Sequence, residues 1–172
     1  MTSEDTSPAG APGDGVVTRA KEVRLRPVER DDLEVFFAYE QDQEAARRAV
    51  FKPRERERFM THWENRVLGD PTGIIQTVIV DGENAGNIVS WEDGGHRLVG
   101  YWFGRSFWGR GIGTRALTQF LDLVPTRPLY ADPFESNVAS VRLLERCGFH
   151  RIAQPDSTHH LEPGQLLLML ER

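Results

Sequence analysis

The stretch that decides the fold runs from Phe107 to Leu121 and reads FWGRGIGTRALTQFL. Its first half places glycines at positions 109, 111 and 113. Its second half has the apolar spacing of an amphipathic helix, with Leu117, Phe120 and Leu121 on one side. Glycine is a poor residue for starting a helix, because it loses the most backbone freedom on ordering. Some property of this backbone must therefore depend on the absence of side chains.

A phosphate-binding loop accounts for the arrangement better than a ligand-free turn, which remains the alternative. A helix N-terminus presents free N–H groups and a partial positive charge, and glycines let an anion approach the backbone. Arg110 and Arg115 add positive charge to the same segment. The Gly-Lys-Ser/Thr of a Walker A loop is missing, because Gly113-Thr114 has no lysine. The segment therefore predicts a pyrophosphate cradle that opens a helix.

A dinucleotide-binding oxidoreductase is a second possibility for the same residues. The segment from Gly111 to Ala116 fits G-x-G-x-x-A, and Asp132 follows about 20 residues later. Two features weaken this reading. Residues 104–108 separate the glycines from the preceding predicted strand, and the chain after Asp132 is too short to complete a doubly wound sheet.

The composition indicates one globular protein of ordinary character. The chain has 172 residues with a formal net charge of -5, which gives no general attraction to nucleic acid or to anionic lipid. Cys147 is the only cysteine, so there is no disulfide framework and no cysteine metal cluster. Neither a signal peptide nor a membrane span is visible. We expect a cytoplasmic protein without nucleic-acid or membrane partners.

The hydrophobic pattern predicts one mixed α/β domain over residues 21–172, preceded by a flexible tail over residues 1–20. That tail is rich in Pro, Gly, Ala, Ser and Asp and lacks an apolar period. Asp31 and Glu34 form a plausible capping pair for the first helix. Strands are predicted at 22–28, 74–80, 86–91, 96–103, 128–132, 149–153 and 165–170, and helices after Asp31, at 54–68, after Gly113 and at 137–147.

A second motif, NVASVRLLERCGF at 137–149, lies on the last predicted helix. It places Asn137, Ser140 and Leu144 on one helix face. With this motif and the glycine loop together, the chain from Glu22 onward resembles the GNAT superfamily of N-acetyltransferases. The resemblance is greatest to the branch of the ribosomal-protein N-terminal acetyltransferases RimJ and RimL. The family's Gln/Arg-x-x-Gly-x-Gly/Ala loop corresponds to 108–113, and its Asn-x-x-Ser, Leu and Gly-Phe correspond to positions within 137–149.

The resemblance implies the GNAT fold, an α/β arrangement with a central, mostly antiparallel sheet of six to seven strands. About four helices flank the sheet, and its fourth and fifth strands splay apart. It implies acetyl-CoA (coenzyme A) as co-substrate, without a metal. The residues expected to hold that co-substrate are Trp108, Gly109, Arg110, Gly111, Ile112, Gly113 and Thr114 at the pyrophosphate, and Tyr101, Trp102, Phe103, Asn137 and Ser140 along the pantetheine arm.

By the same resemblance, a primary amine attacks the acetyl carbonyl directly in a ternary complex. The acceptor is a protein N-terminus or a small molecule, and the protein is a monomer or a homodimer. Two positions depart from the family pattern: Trp108 replaces Gln or Arg, and Leu144 replaces a tyrosine that protonates the departing thiolate. Ser140 is the candidate replacement for that acid, and Glu92 and Asp132 are candidate general bases. A non-catalytic acyl-CoA-binding module is the alternative, because Leu144 has no proton to donate.

The dipeptide His159-His160 lies in a predicted polar loop without partner ligands at metal spacing. We therefore expect no metal site from the sequence.

Overall fold

A computed structural model of the chain describes residues 20–172. The predicted N-terminal tail, up to residue 19, lies outside the described residues. Ala20 lies within them and is buried against the main hydrophobic core. The boundary between tail and domain stays a prediction.

The described residues form one seven-stranded sheet with the strand order β1-β2-β3-β4-β5-β7-β6. All neighbouring strands are antiparallel except β4 and β5, which are parallel. The predicted mixed sheet is confirmed, and the doubly wound sheet required by the dinucleotide alternative is contradicted. The strands are β1 (Val23–Pro27), β2 (Ile74–Val80), β3 (Glu83–Asp93), β4 (His96–Phe103), β5 (Leu129–Ala131), β6 (His150–Arg151) and β7 (Leu168–Leu170).

The parallel strands β4 and β5 pair only over a short distance. Their register joins Arg97 to Leu129 and Leu98 to Tyr130. From Val99 to Phe103, β4 has no pairing with β5, so one backbone edge of β4 faces a gap. The predicted splay between these strands is confirmed.

Within residues 20–172, five α-helices flank the sheet, where about four were predicted. The additional helix is α2, whose sequence QEAARRA offers only alanines as an apolar face and so lacks a strong periodic signal. The Asp42 side chain caps α2 by accepting the Ala45 N–H at 2.9 Å. The helices are α1 (Asp32–Glu40), α2 (Gln43–Ala49), α3 (Arg56–His62, continued by a π-helical turn over Trp63–Val67), α4 (Ile112–Leu123) and α5 (Val138–Arg146).

The predicted capping pair at the start of α1 is wrong. Asp31 has helical backbone angles, and its side chain makes no capping hydrogen bond. Asp32 is buried instead and ties α1 to the sheet. Its carboxylate accepts hydrogen bonds from the Arg26 guanidinium (2.6 and 2.8 Å), the Glu29 amide (2.8 Å), the Thr77 hydroxyl (2.8 Å) and the Asn84 side-chain amide (3.0 Å).

The core lies on both faces of the sheet, because successive strand residues point to opposite sides. On β3, Ile88 joins the cluster that contains Leu117 and Phe120 of α4. Its neighbour Val89 packs against the cluster formed by α1 and α3. The helix that follows the glycine loop is therefore fixed against one face of the sheet, over β1, β2 and β3.

Candidate active site

The glycines of the loop serve two different structural needs. Gly109 and Gly111 both have φ +71°, a left-handed backbone that L-residues rarely adopt, and a Cβ at either position would meet open space. At Gly113 a Cβ would lie 2.2 Å from Leu143 Cδ1 on α5. Gly113 therefore allows α4 and α5 to pack closely, and the interpretation that all three glycines admit an anion is corrected at this position.

The backbone amides of this loop are free to bind an anion. In residues 20–172, no protein acceptor receives a hydrogen bond from any amide between Gly109 and Thr114. Gly111 is the N-cap of α4 and contributes no capping side chain. The start of α4 thus presents several unpaired N–H groups together with the positive end of the helix dipole.

A cavity of about 570 Å³ opens at these amides and extends to the splayed end of β4. The side chains of Arg48, Arg142 and Arg146 line it and supply positive charge. These arginines were not predicted from the sequence, because they lie on α2 and α5, outside the glycine motif. All the predicted co-substrate residues except Arg110 line this cavity: Tyr101, Trp102, Phe103, Trp108, Gly109, Gly111, Ile112, Gly113, Thr114, Asn137 and Ser140.

The two arginines within the loop motif have other partners. A guanidinium nitrogen of Arg110 lies 3.8 Å from the Asp81 carboxylate, and its guanidinium packs 5.7 Å from the centre of the Phe107 ring. Arg115 donates hydrogen bonds to the backbone carbonyls of Ala20 and Lys21 at 2.8 and 3.2 Å. Their charges tie the loop and α4 to neighbouring segments.

Trp108 takes a structural role at the position where the family has Gln or Arg. Its indole N–H donates to the Phe103 carbonyl at 3.1 Å, which joins the loop to the end of β4. The Arg48 guanidinium lies 4.5 Å from the centre of its ring. Trp108 thereby holds one of the arginines of the cavity in place.

A second cavity of about 400 Å³ meets the first at the splay. Four of the predicted residues line both cavities: Tyr101, Trp102, Asn137 and Ser140. Beyond this junction, the second cavity has aromatic walls and two carboxylates, together with Lys52. The aromatic residues are Phe51 and Phe134, and the carboxylates belong to Asp132 and Glu162.

The junction between the cavities contains a hydrogen-bonded hydroxyl pair. The Tyr101 hydroxyl lies 2.7 Å from Ser140 Oγ. Burial raises the pKa of Tyr101 far above its usual value, so its phenol stays protonated. Leu144, one turn further along α5, is buried in the core and cannot donate a proton. The sequence predicted a role for the Tyr101 backbone in binding the pantetheine arm, but not the contact of its hydroxyl with Ser140.

Asn137 lies at the start of α5 and not within it. Its side-chain oxygen accepts the Ser140 N–H at 3.4 Å, so Asn137 is the N-cap of this helix. Its side-chain NH₂ has no protein acceptor in the described part of the chain and borders both cavities. Asn137 can therefore cap the helix and donate to a ligand at the same time.

The structure separates the two candidate bases. Asp132 lines the second cavity, and burial raises its pKa, with repulsion from Asp93 and Glu162 acting in the same direction. Glu92 lines neither cavity, and its carboxylate lies 3.4 Å from the Arg97 guanidinium near the β3–β4 turn. That turn is at the opposite end of β4 from Tyr101. Only Asp132 is brought to the site.

The sequence matches the family model described as an acetyltransferase (GNAT) domain over residues 22–150. No curated protein matches the chain. Within residues 20–172, every helix is too short or too polar to cross a membrane.

Solved structures share the fold. An aminoglycoside acetyltransferase, AAC(6')-Ib, in complex with coenzyme A and kanamycin is 21% identical with a TM-score of 0.71; the alignment covers 88% of this chain and 95% of that one. A spermidine N-acetyltransferase from Vibrio cholerae in complex with coenzyme A and spermine is 18% identical with a TM-score of 0.68, over 86% and 92%. A domain from Methanocaldococcus jannaschii is 16% identical with a TM-score of 0.70, over 88% and 99%. The predicted GNAT fold is confirmed.

Proposed function

The chain belongs to the GNAT acetyltransferase family, and from that premise we propose that it transfers an acetyl group from acetyl-CoA to a primary amine. One observation carries the proposal. The cavity that opens at the unpaired amides of Gly109 to Thr114 joins a second cavity containing the half-buried Asp132. An anion-binding end and a proton-accepting end thus meet at one junction.

The residues present fit coenzyme A. The free amides at the start of α4 would hold its pyrophosphate, and Arg48, Arg142 and Arg146 supply charge for its phosphates. The unpaired edge of β4 from Val99 to Phe103 offers backbone groups for strand-like pairing with the amide-containing pantetheine arm. When bound, acetyl-CoA supplies the acetyl group as an activated thioester.

The reaction moves two protons, one accepted in the second cavity and one donated at the junction. An ammonium must lose a proton before its nitrogen can attack, and the raised pKa of Asp132 suits a general base. Ser140 Oγ is the donor toward the departing sulfur, and the protonated Tyr101 hydroxyl supports Ser140 by hydrogen bonding. This pair takes over the role of the tyrosine that the family has at the position of Leu144. Direct attack by the amine requires no nucleophile from the protein.

The second cavity favours a small cationic acceptor. Its volume of about 400 Å³ falls in the range of small-molecule sites. Carboxylates and aromatic rings both attract ammonium groups, and Asp132, Glu162, Phe51 and Phe134 provide them. Two solved relatives contain kanamycin and spermine. We therefore favour a small-molecule amine over a protein N-terminus within the primary-amine class.

The test measures thiol release from acetyl-CoA with spermine, kanamycin and a short peptide bearing a free N-terminus. We expect turnover with at least one amine and a loss in Asp132→Asn of about 10²- to 10⁴-fold, the usual contribution of a general base. Asp122→Asn, an exposed carboxylate on α4, is the matched control and should retain full turnover.

Three results would contradict parts of this assignment. Binding of coenzyme A without thiol release, across a broad panel of primary amines, would favour the non-catalytic binding module. A larger loss in Glu92→Gln than in Asp132→Asn would remove Asp132 as the base. Turnover only with the peptide would move the acceptor to protein N-termini.

A further inference from the structure

Three potential metal ligands meet at a surface outside both cavities. His96 is the first residue of β4, and Asp156 and His159 lie on the segment between β6 and β7. One ligand atom from each of these side chains lies within 4.8 Å of the other two. The His96 and His159 rings stack with their centres 3.8 Å apart. The Tyr130 ring packs against both, at 5.3 and 4.6 Å between ring centres.

We propose that His96, Asp156 and His159 bind a divalent transition metal of the zinc type. Two imidazoles and one carboxylate are ligands that zinc accepts, and three protein ligands leave one position for water. The stacked imidazoles must turn toward a common point to ligate the ion. All three side chains are at least partly exposed, so this rotation needs no change in the core.

The surrounding residues already hold these ligands near one another. The Thr158 amide donates to the Asp156 carboxylate at 2.9 Å, and the Thr158 hydroxyl lies 2.8 Å from His96 Nε2. A second contact lies beside the first, since His160 Nδ1 lies 3.9 Å from the carboxylate of Asp93, the last residue of β3. The metal would therefore reinforce an existing contact between the start of β4 and the β6–β7 segment.

The β6–β7 segment also forms part of the second cavity. After His159 it continues to Glu162 and Gln165, which line that cavity. The Gln165 side-chain amide donates to the Asp132 carbonyl at 2.9 Å. An ion at the histidines would thus fix a segment that borders the acceptor cavity.

The sequence expectation of no metal site considered only the neighbours of His159-His160. His96 comes from a distant part of the chain, and the fold places this first residue of β4 beside the segment that carries Asp156. Local sequence spacing does not reveal a metal site whose ligands come from distant segments of the chain.

The experiment titrates zinc chloride into the untagged full-length protein by calorimetry. We expect saturable binding of one zinc per chain and a zinc-dependent rise in melting temperature. Removing a residue that only hydrogen-bonds to a metal ligand weakens metal affinity about 10- to 100-fold, so removing a ligand itself should cost at least as much. His96→Gln, His159→Gln and Asp156→Asn should each weaken binding by at least tenfold. His160→Gln is the matched control and should bind zinc like the unaltered protein.

Melting curves without zinc establish that each variant is folded. Cobalt absorption spectra give a second readout, since four-coordinate cobalt absorbs visible light more strongly than hexaaqua cobalt. The assignment is overturned by the absence of stoichiometric zinc binding. Binding that survives His96→Gln and His159→Gln overturns it equally. No acetyl-transfer measurement enters this test, so its failure is separate from failure of the proposed function.

Discussion

Two polar regions of this protein are organised in opposite ways. At Asp32, a buried carboxylate receives hydrogen bonds from a guanidinium, a backbone amide, a hydroxyl and a side-chain amide. At the start of α4, the amides from Gly109 to Thr114 donate to no acceptor within residues 20–172. Buried polar groups are normally paired, because an unpaired one costs free energy. The paired groups at Asp32 stabilise the fold, whereas the unpaired amides at the start of α4 leave hydrogen-bond donors available to a ligand in the cavity.

The two regions predict different consequences of mutation. Changes at Asp32 should alter the free energy of unfolding and leave coenzyme A affinity of the folded protein unchanged. Changes around the loop should alter coenzyme A affinity and leave unfolding nearly unchanged.

The largest expected effect is at Asp32. Asp32→Ala leaves the Arg26 guanidinium and the Thr77 hydroxyl without their shared partner, and breaking a buried ion pair costs about 3–5 kcal/mol. Urea denaturation measures this loss. The exposed neighbour Asp31 makes no capping hydrogen bond, so Asp31→Ala should stay within about 0.5 kcal/mol. Equal effects at both positions would remove the structural role assigned to Asp32.

The next effect concerns the arginines on α5. Arg142 and Arg146 line the first cavity and are exposed. Replacing both with Gln removes two charge-assisted contacts to phosphate, and at about 1 kcal/mol each the affinity for coenzyme A should fall about 30-fold. Calorimetric titration measures the affinity, and Arg58→Gln on α3 is the matched control. Unchanged affinity would exclude these arginines from the phosphate site.

The sequence predicted the strands near the site more accurately than the roles of individual side chains. The stretches IIQTVIV and HRLVGYWF correspond to β2 and β4 because their β-branched and aromatic residues lie between clear turn signals. The local motif at 108–113 also predicted the glycine loop that precedes α4. The pairing of Tyr101 with Ser140 and the charge of Arg48 depend on contacts between distant elements, which local patterns do not encode.

A smaller effect is expected at Asn137, which both stabilises the fold and borders the ligand cavity. Asn137→Ala removes an N-cap and should cost about 1 kcal/mol of stability. It should also weaken acetyl-CoA binding by about 1–2 kcal/mol through loss of the side-chain donor. Asn137→Ser keeps a capping oxygen, so it should restore stability without restoring affinity. If the serine variant restores both, the Asn137 amide does not contact the ligand.

The smallest expected effect compares the buried carboxylate of Asp32 with the half-buried one of Asp132 by the pH dependence of stability. Burial opposes ionisation of Asp32, but hydrogen bonds from Arg26, Glu29 and Thr77 lower its pKa overall. Its stabilising contribution is present above the unfolded-state pKa and is lost as pH falls through the lower folded-state pKa. For Asp132, burial raises the pKa, so stability falls as pH rises between the unfolded and folded values.

Unfolding measured from acid to neutral pH checks this contrast. Asp132→Asn should be more stable than the unaltered protein at neutral pH while losing turnover, and Asp32→Asn should be less stable there. In the unaltered protein, kcat/KM should fall as pH drops through the Asp132 pKa. A destabilised Asp132→Asn would contradict the assignment of Asp132 as a half-buried carboxylate without an ion-pair partner in residues 20–172.

The central claim is that the unpaired amides at the start of α4 form the phosphate site. Titration of ¹⁵N-labelled protein with coenzyme A, followed by amide NMR, tests it most directly. We expect the largest shifts and a gain in hydrogen-exchange protection at Gly109 to Thr114, with the Glu29 amide at Asp32 unchanged. Saturable binding that leaves the Gly109–Thr114 amides unshifted and unprotected would contradict the account.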